Sequence, residues 1–163
     1  MKPADVIQLD LPATYKYLNV LDTFTTVLEG AEGLQDPTAM AYNVQLAVHE
    51  ICTNIVGHAY SDDSLGRIKI TLILSQDPRA LTIDLHDTGR AVDLREIAEP
   101  DLVNAQVRGY GLFLVRQLMD EVSYHSQEGK AWRSVSGGGW ESYNNINDYP
   151  PPGHNQWRLI KYF

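Results

Sequence analysis

With only one cysteine, Cys52, in 163 residues, no disulfide can form within the chain. Long apolar runs are also missing, and no stretch approaches the roughly 18 to 20 residues a membrane-spanning helix needs. Basic residues are scarce. Thirteen Lys and Arg stand against 21 Asp and Glu, a formal charge of −8, and no cluster of them offers the phosphate contacts that nucleic-acid binding requires. This excludes a general nucleic-acid binder, while a local pocket can still take one phosphorylated ligand. No cationic-then-apolar leader opens the sequence, and with the single thiol this leads us to expect a cytoplasmic protein.

What is present has a globular balance, 44% hydrophobic and 21% charged, with enough length for one sizeable core; a single domain over residues 1–163 is expected. Residues 5–11, DVIQLDL, alternate like a strand, and Pro12 opens an apolar-periodic helical stretch to about Glu32. Asp36-Pro37 reads as a cap and first turn of a second helix, to about Tyr60. Residues 67–74 and 80–87 alternate at period two across the turn-rich SQDPR and read as a hairpin. GYGLFLVRQLMDEV (109–122) reads as a glycine-led helix, followed by a strand around Val122 to Ser126. Residues 136–153 are rich in Gly, Asn and Pro and are expected to be irregular, and HNQWRLIKYF closes the chain as a strand. This order predicts an α/β (α+β) two-layer sandwich, a mixed, mostly antiparallel sheet covered on one face by helices.

Three polar groupings interrupt the apolar pattern. In VHEICTNIVGHAY (48–60), at about 100° of rotation per helical residue, Val44, Val48, Ile51 and Ile55 form the stripe that faces the sheet. Glu50, Asn54 and His58 follow at i, i+4 and i+8, making a second stripe about 90° from the first. Such a row lines a cleft or forms an ordinary solvated helix edge, and the spacing alone does not choose. Asp87 has the parity of Leu81, Ile83 and Leu85 and so points between sheet and helices. Ionised, it can only accept hydrogen bonds, which suits an amino-bearing ligand or a water, and Gly89 lets a flat group approach the backbone. An Asp-Thr-Gly turn at a strand end gives the same tripeptide. The glycines of RGYGLFLV expose amides at a helix start, where phosphate is favoured, but they match neither the P-loop nor the Rossmann spacing. Cys52 reads as a small core-edge residue.

Taken together and in this order, the three groupings resemble the GHKL ATPase and kinase superfamily, most closely its bacterial anti-sigma factor serine/threonine kinases. The likeness covers roughly residues 5–126 and the last strand. It implies the Bergerat ATP-binding fold, with an N box at Glu50, Asn54 and His58, a G1 box at Asp87 and Gly89, and a G2 box at Gly109 and Gly111. It further implies ATP and Mg²⁺ as cofactors. Asn54 would be the metal ligand and Asp87 the acceptor for the adenine amino group. Gly109, Tyr110, Gly111 and Leu112 would hold phosphates, with Arg108 as an added contact. Glu50 is implied as the base, His58 lies near the nucleotide, and Thr88 to Arg108 would be a mobile lid. The implied partners are a STAS-type anti-anti-sigma protein, which is phosphorylated, and a sigma factor or other regulator, which is sequestered; a homodimer is left open. Alternatives are a nucleotide-dependent binding switch without transfer, and a stand-alone sensor or phosphatase-associated ATPase domain. Two features depart from the pattern. Ala91 stands where a second G1 glycine is common, and the 136–153 insertion, with Trp140, Tyr143 and Tyr149, offers either a partner surface or ordinary loop packing.

Overall fold

Alternation builds the sheet. In strands β2 (Arg67–Gln76) and β3 (Arg79–Asp87), Ile68, Ile70, Leu72, Leu81, Ile83 and Leu85 are all at most 1% exposed, and the antiparallel register sets Ile70 opposite Leu85 and Leu72 opposite Ile83. The structure, a computed structural model, describes residues 5–25, 34–60, 66–97, 103, 110–136, 138–144 and 150–163. Among these, five further strands join the hairpin: β1 (Asp5–Pro12), β4 (Glu121–His125), β5 (Ala131–Ser134), β6 (Trp140–Ser142) and β7 (Asn155–Tyr162). The order is β1-β2-β3-β7-β4-β5-β6, and every adjacent pair is antiparallel. The expected sandwich is present, with a sheet antiparallel throughout rather than mixed.

One face carries the helices α1 (Val20–Thr25), α2 (Pro37–Asn54) and α3 (Gly111–Leu118), with α2 touching both of the others. Asp36 caps α2 by accepting from the Ala39 amide at 3.0 Å, a contact worth about 1 kcal/mol. Val44, Val48, Ile51 and Ile55 lie in one cluster with the inward residues of β2 and β3. The opposite face is polar. One transverse row runs Gln8, Thr71, Asp84, Arg158, Ser123, Arg133, Glu141 across all seven strands, and Arg158 grips Asp84 through two bonds of 2.7 and 2.9 Å.

Four expectations are corrected. The first helix does not begin after Pro12, because the Ala13 amide bonds the Gly66 carbonyl at 2.9 Å and keeps the chain extended; a 3₁₀ turn (Tyr15–Tyr17) comes first, and residues 26–32 lie outside the described residues. Helix α2 ends at Asn54 and continues as a π turn, Ile55–Ala59. Helix α3 stops at Leu118, since Met119 is extended and the Asp120 amide already bonds Ile160 O of β7 at 2.9 Å. The insertion contains strand β6, and β5 before it was also missed; both are too short to show a period.

Two of the insertion's aromatics, Trp140 and Tyr143, are packed on the chain itself. Trp140 turns to the helical side, 6.2 Å from the Trp157 ring, with the Arg116 guanidinium of α3 5.2 Å from its own ring; Arg116 Nη1 also donates to Gly139 O at 2.9 Å. Tyr143 turns to the polar face and shares a 2.9 Å hydrogen bond with His125 Nε2. Tyr149 lies outside the described residues.

Trp140→Ala removes a half-buried ring and its cation–π contact, and should lower stability by about 2 kcal/mol in urea unfolding. Glu141→Ala, which breaks only the exposed Arg133 pair, should stay within about 0.5 kcal/mol of wild type.

Candidate functional site

Strand β3 brings Asp87 to the end of the apolar layer, where it is 3% exposed. Its Oδ1 accepts from the Gly89 amide at 2.9 Å and from Asn155 Nδ2 at 2.9 Å. Both donors use the same oxygen, so Oδ2 remains as an acceptor. Burial raises the Asp87 pKa, and the bonds from Asn155 and Gly89 and the proximity of His154 oppose that rise.

Asn155 was not read from the sequence. It is wholly buried, stands opposite Asp87 in the β3–β7 register, and donates a second bond to Gly89 O at 2.9 Å. Its Oδ1 accepts from the Gln127 amide at 2.8 Å, while Gln127 Nε2 adds another 2.9 Å bond to Gly89 O. The available signal was an asparagine sharing the parity of the apolar Trp157 and Leu159 in NQWRLIKY; which strand it would face was not legible.

Glu50 and Asn54 stand one helical turn apart on α2, both half-buried. A Cβ on Gly111 would lie 2.7 Å from Glu50 Oε2, so glycine is what allows the carboxylate to rest against the start of α3. There the Leu114 amide bonds Tyr110 O at 2.8 Å as the first intrahelical bond, which leaves the Gly111 and Leu112 amides with no intrahelical acceptor. Leu112 also packs against the core. His58 falls in the π turn and is exposed, because the i, i+4, i+8 rotation holds only through Asn54. Arg108 and Gly109 lie outside the described residues.

Gly89 has a different neighbour from the one expected. A Cβ there would come within 2.3 Å of Ala59 O, and the next amide, Arg90, bonds that same oxygen at 2.6 Å. The turn after β3 is thus seated on the end of the α2 π turn. The following segment is anchored as well: Val92 N–H donates to Tyr124 Oη at 3.1 Å, and Leu94 is 1% exposed in the core. In this structure Val92 and Leu94, within the segment read as a lid, are packed on the fold, and residues 98–102 and 104–108 of that segment lie outside the described residues. Cys52 is fully buried and its thiol is pushed up to about 12 by that burial, which leaves it protonated and inert.

The donor set fits a magnesium nucleotide. Asp87 offers a lone acceptor oxygen, Asn54 a neutral oxygen of the kind hard cations take, and α3 two amides suited to phosphate. Among the described residues no three His, Cys, Asp or Glu come together as a metal cage, whereas a cation bridging phosphates needs only one or two protein ligands.

Residues 11–134 match the model of a histidine kinase-like ATPase domain; the match ends at the last residue of β5, before the insertion. Among curated proteins, the chain is 30% identical over 137 residues to the serine-protein kinase RsbW of Oceanobacillus iheyensis, covering 79% of this chain and 84% of that protein. It is 30% identical over 141 residues to the serine-protein kinase RsbW of Bacillus cereus, covering 79% and 82%. A solved structure, the histidine kinase domain from the Erythrobacter litoralis EL346 blue-light activated histidine kinase, aligns at 19% identity with a TM-score of 0.45, over 99% of this chain and 68% of that one.

Asp87→Asn keeps an oxygen for both donors and removes the buried charge. The folded-state pKa lies above the ordinary 3.8, so the ionised form opposes folding above the folded pKa, and this opposition fades as pH falls through that pKa. The variant should therefore match or exceed the wild-type urea midpoint at pH 7, with an advantage that shrinks in acid. A lower midpoint at pH 7 contradicts this.

Proposed function

The chain belongs to the histidine kinase-like ATPase domain family, and from that premise we propose that it is an ATP-dependent protein serine/threonine kinase whose acceptor is another protein. The observation that carries this reading is the placement of Glu50 one helical turn before Asn54 and against Gly111: a protein that only bound nucleotide would need no carboxylate there.

Each residue's role follows from its chemistry. Asp87, fixed through Oδ1 by Gly89 and Asn155, accepts a hydrogen bond from the adenine amino group. Asn54 gives its amide oxygen to magnesium. The amides of Gly111 and Leu112 face phosphate oxygens at the positive end of α3. Glu50 accepts the proton of the acceptor's hydroxyl as that oxygen becomes the nucleophile. Bound Mg-ATP supplies the phosphoryl group that is transferred. By the family pattern Tyr110 and His58 take part in nucleotide binding, as do Arg108 and Gly109, which lie outside the described residues.

The acceptor we propose is a STAS-type anti-anti-sigma protein, and the sequestered partner a sigma factor or comparable regulator, as partner switching requires. The names of the RsbW relatives support kinase activity on serine. No helix among the described residues is long and apolar enough to cross a membrane, in keeping with work alongside cytoplasmic partners.

The test compares wild type, Glu50→Gln and Asn54→Ala for Mg-ATP affinity and for phosphate transfer to a cognate STAS protein. Glu50→Gln should keep nucleotide affinity and lose roughly 10²- to 10⁴-fold in transfer, whereas Asn54→Ala should weaken Mg-ATP binding as well as turnover. Wild-type protein that binds ATP and partner but leaves the partner unphosphorylated would leave the binding switch standing instead. Full-rate transfer by Glu50→Gln would remove the base assignment alone.

A further inference from the structure

One hydroxyl joins the two halves of the site. Tyr60 follows the π turn that continues α2 beyond Asn54, and its Oη donates to Arg67 O at the start of β2, at 2.9 Å. The same oxygen accepts from the Thr88 amide at 2.9 Å, and Thr88 Oγ1 lies 3.4 Å away. A phenolic oxygen has one proton to give and two lone pairs, so this one is fully committed. All of its partners are at two strand ends, and Thr88 sits between Asp87 and Gly89.

The ring is held as firmly as its hydroxyl. A Cβ on Gly66 would fall 2.4 Å from the ring, so only glycine leaves room for it. Beside this contact run the Arg90 amide bond to Ala59 O at 2.6 Å and the close seating of Gly89 on Ala59. Residues 59 and 60 therefore grip residues 88 to 90 at three successive points. Asn155 and Gln127 hold Gly89 from the sheet side. Without Tyr60, the helix side keeps Ala59 but loses the bond nearest the carboxylate.

We propose that Tyr60 is a positioning residue for nucleotide recognition: its hydroxyl sets the Asp87–Thr88–Gly89 turn against the end of α2, so that the carboxylate facing the base and the amide oxygen of Asn54 keep one fixed separation. The inference rests on the assignment of Asp87 to the adenine amino group. The Tyr60 hydroxyl is taken up by Arg67 O and Thr88, so it acts through the turn. Its loss should therefore show in base discrimination rather than in affinity for triphosphates generally.

The test is calorimetric binding of Mg-ATP and of Mg-inosine triphosphate, which carries a carbonyl where ATP carries the amino group, to the full chain. Asp87→Asn is the reference variant, and a thermal melt checks folding. Wild type should prefer ATP, and Asp87→Asn should lose that preference. Tyr60→Phe keeps the ring on Gly66 and should lower the ATP-to-inosine-triphosphate preference about tenfold, with affinity for inosine triphosphate nearly unchanged. Gly66→Ala, which displaces the same ring and carries its hydroxyl away from Thr88, should shift the preference in the same direction; if one variant does not fold, the other decides. Folded variants that keep the wild-type preference, or lose both affinities in parallel, overturn the positioning role while leaving the nucleotide site intact. A wild type that shows no preference for ATP overturns the adenine assignment and this inference with it.

Discussion

A carboxylate taken out of water needs donors close by, and at Asp87 those donors come from the turn that follows it and from the last strand of the chain. The Gly89 amide is local, two residues on; Asn155 is 68 residues away and reaches Asp87 only because β7 lies beside β3. Losing a partner of a buried charge costs more than the net worth of one hydrogen bond, because the desolvated group stays behind uncompensated. The site and the centre of the sheet therefore stand or fall together: a β7 out of register by one residue would turn Asn155 to the opposite face and leave Asp87 with one donor fewer.

That dependence explains why an insertion before β7 can be accommodated. Strand β7 pairs with β3 on one side and β4 on the other, so the inserted residues cannot sit between them without breaking the register. Strand β5, which precedes the insertion, takes the free edge of β4, and the insertion adds β6 to the outer edge of β5. There it is not an idle loop, since Trp140 and Gly139 engage Arg116 on α3, the helix whose start is proposed to hold phosphate. The contact lies at the far end of that short helix, which keeps the extension clear of Gly111 while covering the rim of the core at Trp157.

Periodicity made the inner face of the sheet legible, and with it the inward aim of Asp87, because side-chain direction in a strand follows parity alone. The buried stripe of α2 and its polar neighbour Glu50–Asn54 were legible for the same reason. The identity of Asp87's partner was not: strand order is a long-range property, and β7 shows the same alternation whichever strand it pairs with. His58 marks another limit. The eight-residue spacing suggested a third member of the row, but the helix widens into a π turn after Asn54, and no apolar period announces such a change. Strands of three and four residues, as in β6 and β5, are shorter than the window in which alternation can be recognised.

The motif glycines carry a different lesson from the one their spacing suggests. Read from sequence, Gly89 leaves room for a flat ligand and Gly111 exposes amides at a helix start; in the fold, a Cβ on either would meet the protein first, Ala59 in one case and the Glu50 carboxylate in the other. Both contacts lie on α2 or its π extension. One seats the turn after Asp87 on the end of that helix, and the other brings the start of α3 against its middle. Helix α2 thus acts as the common reference for the base-facing turn and the phosphate-facing helix. Enlarging Gly89 would push the base-facing turn off the Ala59 backbone, whereas a side chain on Gly111 would meet the end of the Glu50 side chain and move the carboxylate aside rather than the helix.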